Sequence, residues 1–250
     1  MDGGPAASKS YRPWRIVSLN IRHGGGQRTD ALTKRLLAYD ADVLVITEFQ
    51  LGKSAGLLHA LEAEGYKTTR STNVDPDRNT LLIACRIGID REWAFDSALD
   101  PHHLWCVQIA GTAICGAYLP VNTELRIPHL QSLIKHANRT GLDLIIGDFN
   151  TGKNDLDKSP SGSPFPRTEM LDQLMVSGYV DLWRDAHQGT REYSYYSFKE
   201  GRPYNGFRVD YAFAAPKLAQ RVIACEFDHQ PRECGETDHS ALNVSLLGNR

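Results

Sequence analysis

Between Tyr66 and Leu119 the chain carries four strand-like runs, Tyr66–Arg70, Thr80–Arg86, Leu104–Ala110 and Thr112–Leu119, with no helical periodicity between them. Strands that follow one another without a crossover helix pair antiparallel, and the short connection at Gly111 predicts a hairpin. This stretch does not fit a doubly wound parallel sheet, in which helices would separate the strands.

The flanking segments supply the helices. Trp14–Leu19 and Asp42–Thr47 are apolar, β-branched runs that read as buried strands. Asp30–Tyr39 between them carries Leu32, Leu36 and Leu37 at helical spacing, with Thr29 or Asp30 as N-cap. A second helix is expected over Ser54–Glu64. The latter half repeats this order: a helix over Leu125–Asn138, a strand at Leu142–Ile146, a long polar loop from Asn150 to Arg167, and a helix at Thr168–Val176. Strands at Val209–Ala214, Val222–Phe227 and Ser240–Leu246 close the chain. Two β-rich halves with their own helices predict a layered α/β sandwich, two mixed β-sheets packed face to face with helices outside. Gly24-Gly25-Gly26 matches neither nucleotide-loop spacing and is expected to be a mobile turn.

With 250 residues, 41% of them hydrophobic, the chain can bury a large core. No stretch has linker composition, so a single domain is expected over residues 14–250, preceded by a disordered tail over 1–13. No segment approaches the ~20 continuous apolar residues of a membrane span, and Met1–Ser10 has no apolar signal core; a soluble, cytoplasmic monomer away from membranes is expected. The cysteines Cys85, Cys106, Cys115, Cys225 and Cys234 are odd in number and lack C-x-x-C spacing, which argues against a disulfide framework and a zinc site. A net charge of −2 gives no global basic signature, so any nucleic-acid face must be local.

The chemistry lies where polar residues fall relative to strands. Asn20, Glu48, Asp148 and Asn150 follow strand C-terminal ends, whereas Asp210 and the Asp238-His239 pair stand where strands begin. If the late strands run antiparallel to their neighbours, both sets reach one edge of the sandwich. Gathered carboxylates need a compensating cation or proton, and hard oxygen donors without cysteine favour Mg²⁺, or Mn²⁺, over Zn²⁺. There is no G-x-S-x-G elbow, so water is the expected nucleophile. Each acid alone also reads as a cap or a loop hydrogen-bonder; the combination carries the argument.

That combination resembles the exonuclease/endonuclease/phosphatase superfamily through SLN (18–20), ITEFQ (46–50), AYLP (117–120), IIGDFN (145–150), RVDYAFA (208–214) and TDHSAL (237–242). Within it the chain looks most like exonuclease III and the abasic-site (AP) endonucleases, through YVDLWR (179–184) and the aromatic YSYYSF (193–198). The resemblance implies a four-layered α/β sandwich and a Mg²⁺-dependent DNA repair nuclease, an AP endonuclease or 3′-exonuclease. Its partner would be DNA, a duplex with an abasic site or a 3′ end. It further implies Glu48 as metal ligand with Asn20 and Asp238, Asp148 as base for the attacking water, and Asn150 holding phosphate or water. His239, oriented by Asp210, would donate to the phosphate oxygens, and Tyr118 would contact the phosphate or assist the leaving group.

Tyr195, Tyr196 and Phe207 fall in the segments that line the slot for an extruded base-less sugar in such enzymes. As strand residues, Tyr195 and Tyr196 would instead point one inward and one outward. Arg22, Asn122, Arg126, Asn205 and Arg208 are candidate phosphate contacts, each equally readable as ordinary surface. Arg22 stands where many relatives place an acid or a small polar residue, Asn122 falls one position later than the usual family Asn, and Phe207 replaces a common Trp. Two other readings stay open: the same chemistry on a small-molecule, nucleotide or lipid phosphate, and a non-catalytic binding protein on the same fold.

Overall fold

The computed structural model describes residues 12–71 and 75–247. The tail expected at 1–13 falls outside them over 1–11; Arg12, which follows, hydrogen-bonds Asp42 at 2.9 Å.

The strands are β1 (Trp14–Asn20), β2 (Val43–Phe49), β3 (Lys67–Thr69), β4 (Thr80–Cys85), β5 (Arg91–Ala94), β6 (Leu104–Ile109), β7 (Thr112–Tyr118), β8 (Leu144–Asp148), β9 (Val180–Asp181), β10 (Tyr195–Lys199), β11 (Arg202–Phe207), β12 (Asp210–Ala214), β13 (Val222–Asp228) and β14 (Ala241–Leu246). The helices are α1 (Thr29–Ala38), α2 (Leu51–Ala63), α3 (Thr123–Thr140), α4 (Glu169–Val176), α5 (Leu182–Ala186), α6 (Pro216–Ala219) and α7 (Gln230–Glu233).

Two six-stranded mixed sheets result, β13-β14-β1-β2-β4-β3 and β5-β6-β7-β8-β12-β9, with β10 and β11 forming a separate hairpin. Alternation along each strand builds the layers, because successive side chains leave opposite faces. Ile16, Val43, Val45, Ile114, Leu144, Ile146, Leu242 and Val244 meet between the sheets. Val17, Leu19, Leu44 and Ile46 pack outward with Leu32 and Leu36 of α1 and Leu57 and Leu61 of α2. Cys115 and Ile145 pack outward on the second sheet with Leu130 and Leu133 of α3 and Leu171 and Leu174 of α4. The architecture is thus a four-layered α/β sandwich. Cys85, Cys106, Cys115 and Cys225 are buried within it and Cys234 is exposed.

Several local expectations are corrected. Helix α1 is entered through a 3-10 turn (Gly26–Arg28), and neither Thr29 nor Asp30 caps it; Thr29 Oγ1 donates to the Gly26 carbonyl at 2.6 Å. Helix α2 begins at Leu51, three residues early. The edge strand β5 and the hairpin strand β11 are largely exposed and carry no apolar run that marks a strand, while β10 realises the strand alternative for Tyr195 and Tyr196. The glycine turn is packed rather than loose. Gly24 and Gly25 are buried, the Gly24 N–H donates to the Glu48 carbonyl at 2.8 Å, and a Cβ on Gly24 would lie 2.9 Å from that of Gln50.

Candidate active site

Registry assembles the site. In the second sheet Tyr118 of β7 pairs with Asp148 of β8, which pairs with Asp210 of β12, so three polar residues stand abreast at one sheet end. In the first sheet Asn20 ends β1 beside Thr47 of β2, and Glu48 occupies the irregularity that follows Thr47. The two ends touch: Asn20 Nδ2 donates to Asp148 Oδ2 at 2.9 Å and to Glu48 Oε1 at 3.1 Å. His239, just before β14, closes the group with Nδ1 2.8 Å from Asp210 Oδ2.

This close approach explains the glycine of IIGDFN. Gly147 has φ +149°, and a Cβ there would sit 1.9 Å from the Ala117 carbonyl oxygen on β7. Strain collects nearby as well. Arg22, His23, Glu48 and Asn150, none of them glycine, have φ of 54°, 52°, 56° and 50°. Left-handed backbone at such residues persists only where surrounding contacts impose it, and it clusters at functional sites.

Asp148 is buried; burial first, and the neighbouring Asp210 charge second, push its pKa up to about 7 against the pull of His239, the Asn150 N–H and Asn20. For His239 burial alone would push the imidazole down. The Asp210 carboxylate, with Asp148 and Asp238 beyond it, outweighs that and raises the ring to about 10, so it is an imidazolium at neutral pH. Asn150 is fixed by its N–H to Asp148 Oδ1 at 2.8 Å and by its amide to the Leu119 carbonyl at 2.9 Å.

One donor atom each from Asp148, Asp210 and His239 lie within 4.8 Å of one another. A protonated ring between two carboxylates donates hydrogen bonds and is no metal ligand, so this trio compensates its own charge. Glu48 and Asp238 differ: their side chains are 14% and 19% exposed and face the cleft. As hard oxygen donors, with no sulfur among the cleft-lining residues, they fit a divalent cation. Asn20 fits less directly, because its Oδ1 accepts the Arg22 N–H at 2.8 Å and its NH₂ faces the acids.

The cleft, about 320 Å³, has Glu48, Asn150, Asp238 and His239 at its polar end and Val121, Phe165, Tyr195, Phe207 and Val209 as an apolar wall. The Tyr195 ring lies 5.1 Å from that of His239. Tyr196 points the other way, edge-on to Tyr193 and beneath Arg232, as strand alternation requires. Its expected place in the slot is therefore corrected.

Other expected phosphate contacts are corrected too. Arg208 is 0% exposed and locked to Asp157 and Asp181. Arg126 is 3% exposed and donates to the carbonyls of Pro120, Val121 and Asn150, pinning the loop that carries Asn150. Asn205 is buried with its oxygen held by Ser159 and Ser161. Asn122 caps α3 through its Oδ1, which accepts from Glu124 N and Leu125 N, and stays exposed. Arg22 remains at the surface, 3.4 Å from Asp238.

Sequence reasoning missed His23, Asn79 and Phe165. His23 donates its backbone N–H to Glu48 Oε2 at 2.8 Å, and its Nδ1 lies 3.1 Å from Asn79 Nδ2 and 3.2 Å from Glu48 Oε2. An aromatic isolated in the polar 150–167 loop was the available signal for Phe165. Asn79 carried none.

The Endonuclease/Exonuclease/phosphatase family matches residues 17–239. No curated protein matches the sequence significantly. Among solved structures, an AP endonuclease from Archaeoglobus fulgidus superposes with TM-score 0.78 at 20% identity, covering 93% of this chain and 99% of that one. A 3′ phosphatase from Neisseria bound to a product DNA hairpin gives 0.81 at 18%, covering 94% and 100%. The AP endonuclease LMAP from Leishmania major gives 0.75 at 18%, covering 95% and 89%. At these identities the likeness establishes the fold. Among the described residues no helix is long and apolar enough to cross a membrane.

Proposed function

Because this chain belongs to the Endonuclease/Exonuclease/phosphatase family, we propose that it is a divalent-metal-dependent phosphodiesterase acting on DNA, as a repair nuclease that cuts at abasic sites or trims 3′ ends. One observation carries the reading: the Asp148 carboxylate, with a pKa near 7, lies between the Asn20 and Asn150 amides and the His239–Asp210 pair, beside the acids of the cleft. A base with that pKa is suited to deprotonating a water near neutrality. Asn150 holds the water or phosphate, and the His239 imidazolium donates to the oxygens that gain charge in the transition state. Asp210 keeps that ring charged and oriented. Glu48 and Asp238, with Asn20 beside them, would hold Mg²⁺ or Mn²⁺, which would neutralise phosphate charge and acidify bound water.

The wall formed by Tyr195, Phe207, Phe165 and Val209 supports a DNA substrate, because it offers apolar surface to a sugar taken out of the stack. The Neisseria relative bound to product DNA adds to this. One observation favours the second reading, a small-molecule, nucleotide or lipid phosphate: Arg126 and Arg208 are consumed internally and do not face a phosphate backbone. The test compares abasic, nicked, 3′-phosphorylated and intact duplexes with Mg²⁺ and with EDTA. Metal-dependent incision of a damaged duplex, lost in Asp148→Asn, supports the reading; turnover of a small phosphodiester panel with DNA untouched replaces it with the second.

A further inference from the structure

Facing the acids from the first sheet is a short chain of side-chain amides that the roles above do not use. Gln50, buried at the junction of β2 and α2, donates Nε2–H to Asn79 Oδ1 at 2.7 Å. Asn79, immediately before β4, donates from Nδ2 to the Tyr118 hydroxyl oxygen at 3.1 Å, and the same Nδ2 lies 3.1 Å from His23 Nδ1. We infer that Asn79 is a positioning residue that, with its Oδ1 taken by Gln50, holds the Tyr118 hydroxyl as a donor toward an anion bound beside Glu48 and Asp148.

An Asn side chain has one acceptor oxygen and two donor hydrogens. Gln50 occupies the oxygen, so the edge turned to Tyr118 and His23 presents hydrogens. A phenol accepts through its oxygen and donates its own proton. Asn79 fills the acceptor role, and among the described residues no protein group takes the Tyr118 proton. Tyr118 is registered beside Asp148, and the charges of Glu48 and Asp148 both act on its hydroxyl, so the phenol borders the acids of the site. The free proton is thus available to a phosphate oxygen. With the reverse polarity, Asn79 Oδ1 would accept that proton and the hydroxyl would offer only lone pairs to an anion, which repels it.

This inference rests on the phosphoester reading for its kinetic consequence but not for its geometry, and the experiment separates the two. Asn79→Ala removes the donor, and Asn79→Asp keeps the shape while making the position an acceptor. In the active enzyme each is expected to lower kcat by about tenfold or more, with a smaller change in KM, as for loss of a donor to developing charge. In a Tyr118→Phe background the Asn79→Ala loss should vanish, because the group it acts through is gone. An undiminished loss in that background overturns the proposal.

The second measurement needs no turnover. The ¹³Cζ resonance of Tyr118, assigned by its disappearance in Tyr118→Phe, is followed as inorganic phosphate is added to the whole protein. It should move with phosphate in the parent, start from a different position in Asn79→Asp, and respond to phosphate less there. A Tyr118 resonance identical in parent and variant overturns the inference even if the protein hydrolyses DNA. If no phosphoester is hydrolysed, the proposed function falls while this resonance still decides the role of Asn79. Either variant that folds is sufficient.

Discussion

His239 Nδ1 lies 2.8 Å from Asp210 Oδ2, although one residue precedes β14 of the first sheet and the other opens β12 of the second. The Ser240 N–H donates to the Ser194 carbonyl, and the Ser194 hydroxyl accepts the Val209 and Asp210 N–H groups, so backbone and side chain stitch the two sheets at one point. The buried ion pair is thus a product of how the layers stack.

Asp210→Asn should impair both fold and chemistry. Removing one partner of a buried pair costs about 3–5 kcal/mol, and Asn, which retains a hydrogen bond while His239 sheds its proton, belongs at the lower end. Turnover at pH 7 should fall at least about tenfold because the imidazolium donor is lost. Urea unfolding alongside a cleavage assay checks both; a variant of parental activity would exclude His239 as the charged donor.

Metal dependence should sort the acids. EDTA is expected to abolish turnover, and Glu48→Gln should raise the Mg²⁺ concentration for half-maximal rate by about tenfold or more through loss of a charged oxygen ligand. Asp148→Asn should depress the maximal rate with little change in that concentration. Metal titrations of both variants distinguish the roles, and an unchanged metal requirement in Glu48→Gln would remove it from the ligand set.

Acid stability should depend on Asp157. Its carboxylate is 1% exposed, and burial, which would raise its pKa, is outweighed by Arg208, Tyr211 and Arg184, so the group titrates below its ordinary 3.8. A depressed folded pKa contributes stability that is present above the unfolded value and lost as pH falls through the folded one. Asp157→Asn should therefore cost about 3–5 kcal/mol at pH 7, leaving Asp181 as the remaining carboxylate on Arg208 among the described residues, and the gap to the parent should narrow below about pH 4. Thermal unfolding at several pH values reads this; a pH-independent gap would show that the charge is not what matters.

Neighbouring tyrosines should behave differently. Tyr195 lines the cleft against His239, whereas Tyr196 packs under Arg232 on the opposite face. Tyr195→Ala is expected to raise KM or lower kcat/KM for the abasic duplex by about tenfold, in the range of a lost stacking surface. Tyr196→Ala should act on stability by about 1–2 kcal/mol with kcat/KM nearly unchanged. Equal kinetic defects in both would contradict the assignment of faces.

The sequence alone was enough for the layers and for the location of the polar residues along the chain. Near-continuous apolar runs at β1, β2, β7, β8 and β14 encode two-sided burial, and the missing crossover helices between residues 66 and 119 encode the antiparallel pairs β3–β4 and β6–β7. The placement of Asn20, Glu48 and Asp148 at strand ends was readable for the same reason: an apolar run that stops at an acid or an amide marks where a strand leaves the core. Side-chain direction and long-range partnership were decided only by the tertiary structure. Arg208 and Arg126 look like surface cations in sequence, but Asp157, Asp181 and three backbone carbonyls bury them. Tyr195 and Tyr196 are adjacent and similar, and only the hairpin register puts one in the cleft. Asn79 meets Tyr118 across 39 positions through contacts that follow from sheet packing, which no local pattern encodes. Apolar periodicity determines the layers; the hydrogen-bond partners that turn acids, amides and a phenol into one site exist only once those layers are stacked.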